Sequence, residues 1–235
     1  MLQKDRGVDI IVEIGGIDSH AAACEYLQKT LSPEHLTRIQ QIKNQEACIK
    51  IANAVAMCNP DQIFVNTGSK ADRQFIRELS LKKGEEAPLP MPQHTIHFDL
   101  PEEQGRIIDR TYYIANPDEQ ISSLANRLDR AEALAVVRAT MANIMQGQTM
   151  IIGFYVRGPV GASVANPALE ITSSAYVSHS AEILYRNAFH AFDQEVARCG
   201  HFFINLHSEG LNRPEDLPKA RVLMDRSFRT TFSFN

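Results

Sequence analysis

The most strand-like segment of the chain, MIIGFYV (150–156), runs directly into Arg157-Gly158-Pro159-Val160-Gly161. Aromatic and β-branched residues suit a pleated surface, so a strand must end here. Gly158 and Gly161 permit a positive φ or a close approach of backbone to another group, and Pro159 fixes one φ between them. The chain therefore leaves the strand through either a tight turn or a binding loop. Arg157 sits where the glycines let an anion approach backbone N–H groups; the other reading is a structural turn whose arginine caps carbonyls.

The remaining pattern alternates strands with helices. VDIIVEI (8–14) is rich in β-branched residues and predicts a strand that ends at Gly15-Gly16, followed by a helix capped by Asp18 or Ser19. Pro33 after Ser32 predicts the start of one helix carrying Ile39, Ile42, Ile49, Ile51, Val55 and Met57 until CNPD (58–61) stops it. A strand over 62–68 and a helix over 69–80 follow. Residues 82–93 hold Pro88, Pro90 and Pro92 and predict an exposed connection. HTIHFDLP (94–101) and RTYYIA (110–115) are strand candidates, and 119–145 carries a helical stripe that Gly147 closes. ITSSAYVSHS (171–180) reads as a small-residue loop, 179–196 as a helix, 202–208 as a strand and the C-terminal ARVLMDRSFRTTFSF as an extended piece. The expected class is α/β, with α+β as the alternative.

Charge and cysteine usage narrow the partners. Lys plus Arg total 24 against 28 Asp plus Glu, and a net charge of −4 gives no long-range attraction to nucleic acid or anionic lipid. A small-molecule substrate fits better. Cys24, Cys48, Cys58 and Cys199 form no CxxC pair, which points to free thiols in a reducing cytoplasm. The N-terminal apolar stretch is interrupted by Glu13 and too short for a membrane span, so neither export nor anchoring is expected.

The chain has no GxxxxGK followed by Ser or Thr and no GxGxxG, so both common backbone cradles for phosphate are missing. His94 and His97 would point to opposite faces of a strand, which disfavours a metal site. In Ser178-His179-Ser180 no orienting carboxylate is implied, so the histidine is not read as a catalytic base. Arg106, in EEQGRIIDRT, follows a glycine that frees the backbone, and a guanidinium on such a loop can grip a carboxylate with two parallel hydrogen bonds; the other reading, and the commoner outcome, is a solvated arginine in a charged loop.

Three segments, in order, carry a family resemblance. YVRGPVGASVANPALEITSSAYVSHSAEILYR (155–186) resembles the stretch of GTP-type phosphoenolpyruvate carboxykinases in which a strand enters a Gly-Pro turn, then a Thr-Asp-Ser segment and a helix. GRIIDRTYYIA (105–115) is similar to the family's arginine-bearing loop and strand, and FFINLHSEG (202–210) to a later strand. The likeness covers residues 40–235 and lies in the family's N-terminal domain. It implies a mixed β-sheet flanked by helices and, for residues 1–235, a single N-terminal substrate-recognition domain, with the nucleotide-binding P-loop domain absent from this chain.

The resemblance also implies an activity: oxaloacetate and phosphoenolpyruvate plus carbon dioxide are interconverted with phosphoryl transfer to or from GTP, in gluconeogenesis or anaplerosis. A diphosphate-dependent carboxykinase and a non-catalytic dicarboxylate-binding module are the alternatives. The carboxylate-binding role falls on Arg106, with Arg157, Gly158 and Gly161 as a possible substrate-side loop. Ile108, Arg110 and Ser173 stand where the family has glutamate, lysine and aspartate. The divalent metal (manganese or magnesium) and the GTP or diphosphate would be held by a C-terminal nucleotide-binding domain, because their ligands lie further along the family's sequence. The chain alone is expected not to turn over.

Overall fold

The computed structural model describes residues 6–98, 108–211, 213 and 215–234. Among them a nine-stranded mixed sheet forms the centre. Its strands are β1 (Gln62–Asn66), β4 (Thr111–Ala115), β5 (Asn126–Asp129), β6 (Thr149–Arg157), β7 (Asn166–Thr172), β8 (Arg186–Asn187), β9 (Phe203–Ser208), β10 (Arg221–Asp225) and β11 (Thr230–Phe234). The order across the sheet is β1-β6-β7-β9-β11-β10-β4-β5, with β8 pairing the end of β6. A separate hairpin pairs β2 (Ala87–Pro88) with β3 (Thr95–Ile96).

β7, β9 and β11 are mutually parallel, whereas β6 and β10 run antiparallel to their neighbours β7 and β11. One end of the sheet therefore collects the C-terminal ends of β7, β9 and β11 with the starts of β10 and β4. β6 is buried from Met150 to Val156 because helices cover both of its faces. On one face lie α1 (Ile10–Gly15), α2 (His20–Thr30), α4 (Gln45–Cys58), α6 (Arg130–Met141) and α8 (Phe192–Cys199), around a core that includes Ile152, Phe154, Leu169, Ile171 and Phe192. Each fully buried side chain of that size contributes about 1.5–3 kcal/mol. On the other face α5 (Lys70–Lys83) and α7 (Ala175–Leu184) pack on Phe64 and Ile151 through Ile76 and Ala175. Those two helices cover only the β1, β6 and β7 part of the sheet. Beyond them, Asn205, His207, Thr231 and Ser233 form a half-buried polar surface, alternating with buried Leu206 and Phe232.

Several expected boundaries move, each for a local reason. VDIIVEI forms a helix, not a strand. Its Ile10 and Ile11 are buried, and the helix packs on α4. Gly16, at φ 75°, is its left-handed cap, and its N–H bonds to the Val12 carbonyl. Gly15 is needed for the close approach to α4: a Cβ there would lie 2.4 Å from Asn53 Oδ1. The single helix expected from Pro33 to Met57 is two, α3 (Pro33–Ile39) and α4. The break arises because the Asp193 carboxylate accepts the Lys43 and Asn44 N–H groups at 2.8 and 2.9 Å, while the Asn44 side chain caps α4 at Ala47.

The helix expected over 119–145 begins only at Arg130, since Asn126 bonds to the Ile108 and Thr111 carbonyls and joins 126–129 to the sheet edge. The helix expected over 179–196 is interrupted where Arg186 and Asn187 pair with β6, and Phe189 and Phe192 meet the ring of Phe154. The small-residue loop at 171–180 is the end of β7 and the start of α7, with Ser174 as N-cap. Strand character in 94–101 is confined to Thr95–Ile96 among the described residues. The helix behind Ser19 and strands at 62–66, 111–115, 149–157 and 203–208 form as expected.

Candidate functional site

The β7–β9–β11 end of the sheet concentrates polar and ionisable side chains. α5 runs back along the sheet and delivers Lys83 and then Glu85 and Glu86 to this end. Lys83 Nζ donates to the Ser173 carbonyl at 2.7 Å and pairs with Glu85 at 2.5 Å. The second oxygen of Glu85 accepts from Ser174 Oγ at 3.0 Å and from the Tyr176 N–H at 2.6 Å, so a carboxylate sits on the N-terminus of α7, where the helix dipole favours it. One residue on, Glu86 is buried; it accepts from Thr95 Oγ1 at 2.6 Å and from His179 Nδ1 at 2.8 Å. Burial works against its charge, but the hydrogen bonds it accepts and the adjacent His179 hold it below the usual glutamate range.

His207, at the end of β9, faces Thr172 Oγ1 across the strand pair at 2.8 Å, and Ser173 and Ser208 hydroxyls meet at 2.8 Å beside it. Burial pushes the imidazole of His207 down to about 4, so it is neutral at pH 7. Glu170, two residues before Thr172 on the same face, is pushed up to about 7 by burial, opposed by the hydrogen bond from Asn205 at 2.9 Å and by Arg157. The hairpin is fastened to this end as well, by Thr95 on Glu86 and by the ring of His97 stacked on Tyr176 with centroids 3.6 Å apart. From the opposite side Arg110, at the start of β4, donates to the Leu217 carbonyl at 3.1 Å.

Arg106 lies outside the described residues. Arg157 closes β6 at the other end of the sheet, with its guanidinium 5.3 Å from the centroid of the Tyr185 ring. Gly158 and Gly161 adopt positive φ of 100° and 81°, and the Gly161 N–H bonds to buried Glu195 at 2.8 Å. A carboxylate of the protein's own thus takes that amide. Arg157, Gly158 and Gly161 are therefore not brought together with Arg110 and the hairpin. Among the described residues no group of three or more His, Cys, Asp or Glu side chains is placed to hold a metal ion, so no divalent cation is assigned to them.

The model of the phosphoenolpyruvate carboxykinase N-terminal domain matches residues 50–235. The chain belongs to this family. It is 34% identical over 215 residues to a phosphoenolpyruvate carboxykinase (GTP) from Thermococcus sibiricus, a match that covers 90% of the chain and 34% of the relative. Proteins of the same description from Thermococcus kodakarensis and Saccharolobus solfataricus are 33% and 30% identical, each over 91% of the chain and 34% of the relative. The chain thus spans about a third of the length of the curated relatives it matches. Family membership accounts for the order of the three motif segments and for the mixed sheet between helices. Sequence reasoning did not single out Glu85, Glu86, His207 or Glu170 for this site. The one available signal was Glu85-Glu86 directly after the helix-ending Gly84, which resembles any solvated charge run.

Proposed function

We propose that this chain is the substrate-recognition part of a GTP-dependent phosphoenolpyruvate carboxykinase that interconverts oxaloacetate and phosphoenolpyruvate plus carbon dioxide, and that it works in the cytoplasm beside a C-terminal nucleotide-binding domain. The family match carries the reading. Supporting it, the described flanks of residue 106 lie at one end of the sheet, the hairpin beside the end of β7 and Arg110 at the start of β4, and the ends of β7, β9 and β11 are on the side of an open α/β sheet where ligands bind. Both substrates are carboxylates, and the Arg106 guanidinium would orient one for chemistry at the adjacent carbon. Manganese or magnesium would polarise the transferred phosphoryl group from ligands outside the described residues. No helix among the described residues is long and apolar enough to cross a membrane.

The test is to assay the complete gene product with oxaloacetate and manganese, supplying GTP, another nucleotide or diphosphate in turn. GTP-dependent formation of phosphoenolpyruvate is expected. Turnover with diphosphate alone, or none with any donor, would overturn the reading.

A further inference from the structure

His207 is the last side chain that β9 places on the sheet face left uncovered by α5 and α7. In the strand register it stands directly opposite Thr172 of β7 and Ser233 of β11, so it lies at the carboxyl ends of three parallel strands. Its tautomer is set by Thr172, which is fully buried. The Thr172 hydroxyl oxygen already accepts the Ser174 N–H at 3.0 Å, and the hydroxyl proton needs an acceptor of its own. His207 Nδ1, 2.8 Å away, is that acceptor. The ring proton therefore sits on Nε2, and protonating Nδ1 as well would leave the buried hydroxyl without a partner. Nε2 is turned toward Glu209, just beyond β9, whose carboxylate stands 3.7 Å from it, outside hydrogen-bond distance. Lys83 and Glu85 flank the ring too, and their charges act on it in opposite senses.

We propose that His207 is a substrate-binding residue whose Nε2–H donates a hydrogen bond to an oxygen of oxaloacetate, the ligand being the one that the proposed function names. Ionised oxaloacetate carries hydrogen-bond acceptors and no donors, so the group that matches it is one that can only donate. An imidazole locked by Thr172 is such a group, whereas the other tautomer would turn a lone pair on the ligand. Its place fits as well, since ligands of open α/β sheets bind outside the carboxyl ends of the strands.

The experiment separates the two ring nitrogens. In His207→Asn the amide oxygen replaces Nδ1 as the acceptor for Thr172 and the Nε2 donor is gone; in His207→Gln the amide NH2 reaches the Nε2 position and the Thr172 acceptor is gone. Calorimetry gives the Kd of the complete gene product for oxaloacetate, the assay with GTP gives KM, and thermal unfolding at pH 7 accompanies both. His207→Asn should raise Kd and KM about tenfold with an unchanged unfolding midpoint. His207→Gln should keep both within about threefold of the parent and lower the midpoint. A structural histidine gives the reverse, with binding weaker in the glutamine variant than in the asparagine one. That pattern, parent-like binding by His207→Asn, or a parent that does not bind oxaloacetate overturns the proposal. Turnover is read separately: a parent that binds oxaloacetate through His207 and yet forms phosphoenolpyruvate with no donor refutes the carboxykinase reading and leaves this contact standing.

Discussion

Glu86 and His179, 93 residues apart in sequence, meet with carboxylate and imidazole 2.8 Å apart. The pair joins the hairpin to α7 at the end of the sheet that the proposed function uses. It also supplies the orienting carboxylate that the sequence around Ser178-His179-Ser180 does not reveal. Glu86 reaches it because α5 ends at Gly84, whose positive φ turns the chain back across the start of α7.

Breaking this pair should loosen the hairpin before it unfolds the domain. His179→Ala leaves a buried carboxylate with one fewer donor, and a loss of roughly 1–3 kcal/mol is expected from urea midpoints. Glu86→Gln should cost less, because its amide oxygen still accepts a hydrogen bond. The sign with pH follows from the depressed Glu86: its stabilising contribution is complete above the unfolded glutamate range and is lost as pH falls through the lower folded value. Hydrogen exchange at 87–98 should quicken in both variants; protection equal to the parent's would refute the clamp.

His207 and Glu170 should pull stability in opposite directions with pH. The unfolded chain protonates His207 near 6.5, whereas the folded one does so only near 4, so acidification across that window destabilises the fold. Glu170 behaves inversely: the folded state keeps its proton up to about 7 and the unfolded state loses it near 4.5, so raising pH destabilises. Each shift corresponds to on the order of 3 kcal/mol and the two nearly cancel between pH 5 and 6.5. Glu170→Gln should therefore make stability rise with pH there, and His207→Asn should make it fall. Urea midpoints at pH 5, 6 and 7 decide; two flat profiles would contradict the burial assigned to both groups.

The helix at 10–15 rests on two glycines with different duties. Gly15→Ala drives a methyl into Asn53, whose amide holds the Ile17 N–H and carbonyl at 2.9 and 2.7 Å, and should cost about 1–3 kcal/mol. Gly16→Ala meets open space and loses only the conformational preference for positive φ, about 1 kcal/mol. A Gly15→Ala protein as stable as the parent would mean that α1 does not approach α4 this closely.

These glycines also show why part of the fold was not legible in the sequence. Ile10 and Ile11 suit a strand by propensity, and only α4 lying beneath them makes a helix the better burial. The breaks at 40–44 and 185 have the same character: Asp193 reaches Asn44 from 149 residues away, and Arg186 finds an edge of β6 to pair with. Where local chemistry alone decides, as at the Ser19 cap or the strand from Thr149, the sequence suffices. The site divides similarly. Arg106 stands out through a motif, whereas Glu85, Glu86 and His207 acquire meaning only from partners that the sheet brings to them.

Arg106 and Arg157 give the last and sharpest test, because they are the two candidate anion ligands and Arg157 closes β6 at the end of the sheet away from Lys83, Glu85 and Glu86. In the complete gene product, Arg106→Ala should raise KM for oxaloacetate by roughly tenfold to a hundredfold, the loss of a charge-assisted bidentate contact. Arg106→Lys should recover only part of this, since an ammonium keeps the charge without the fork. Arg157→Ala removes a guanidinium resting on Tyr185 beside a turn whose Gly161 amide already serves Glu195. It should leave KM within about threefold of the parent and lower the unfolding midpoint slightly. If Arg157→Ala instead raises KM while Arg106→Ala does not, the substrate binds at the Gly-Pro turn and the assignment of Arg106 fails.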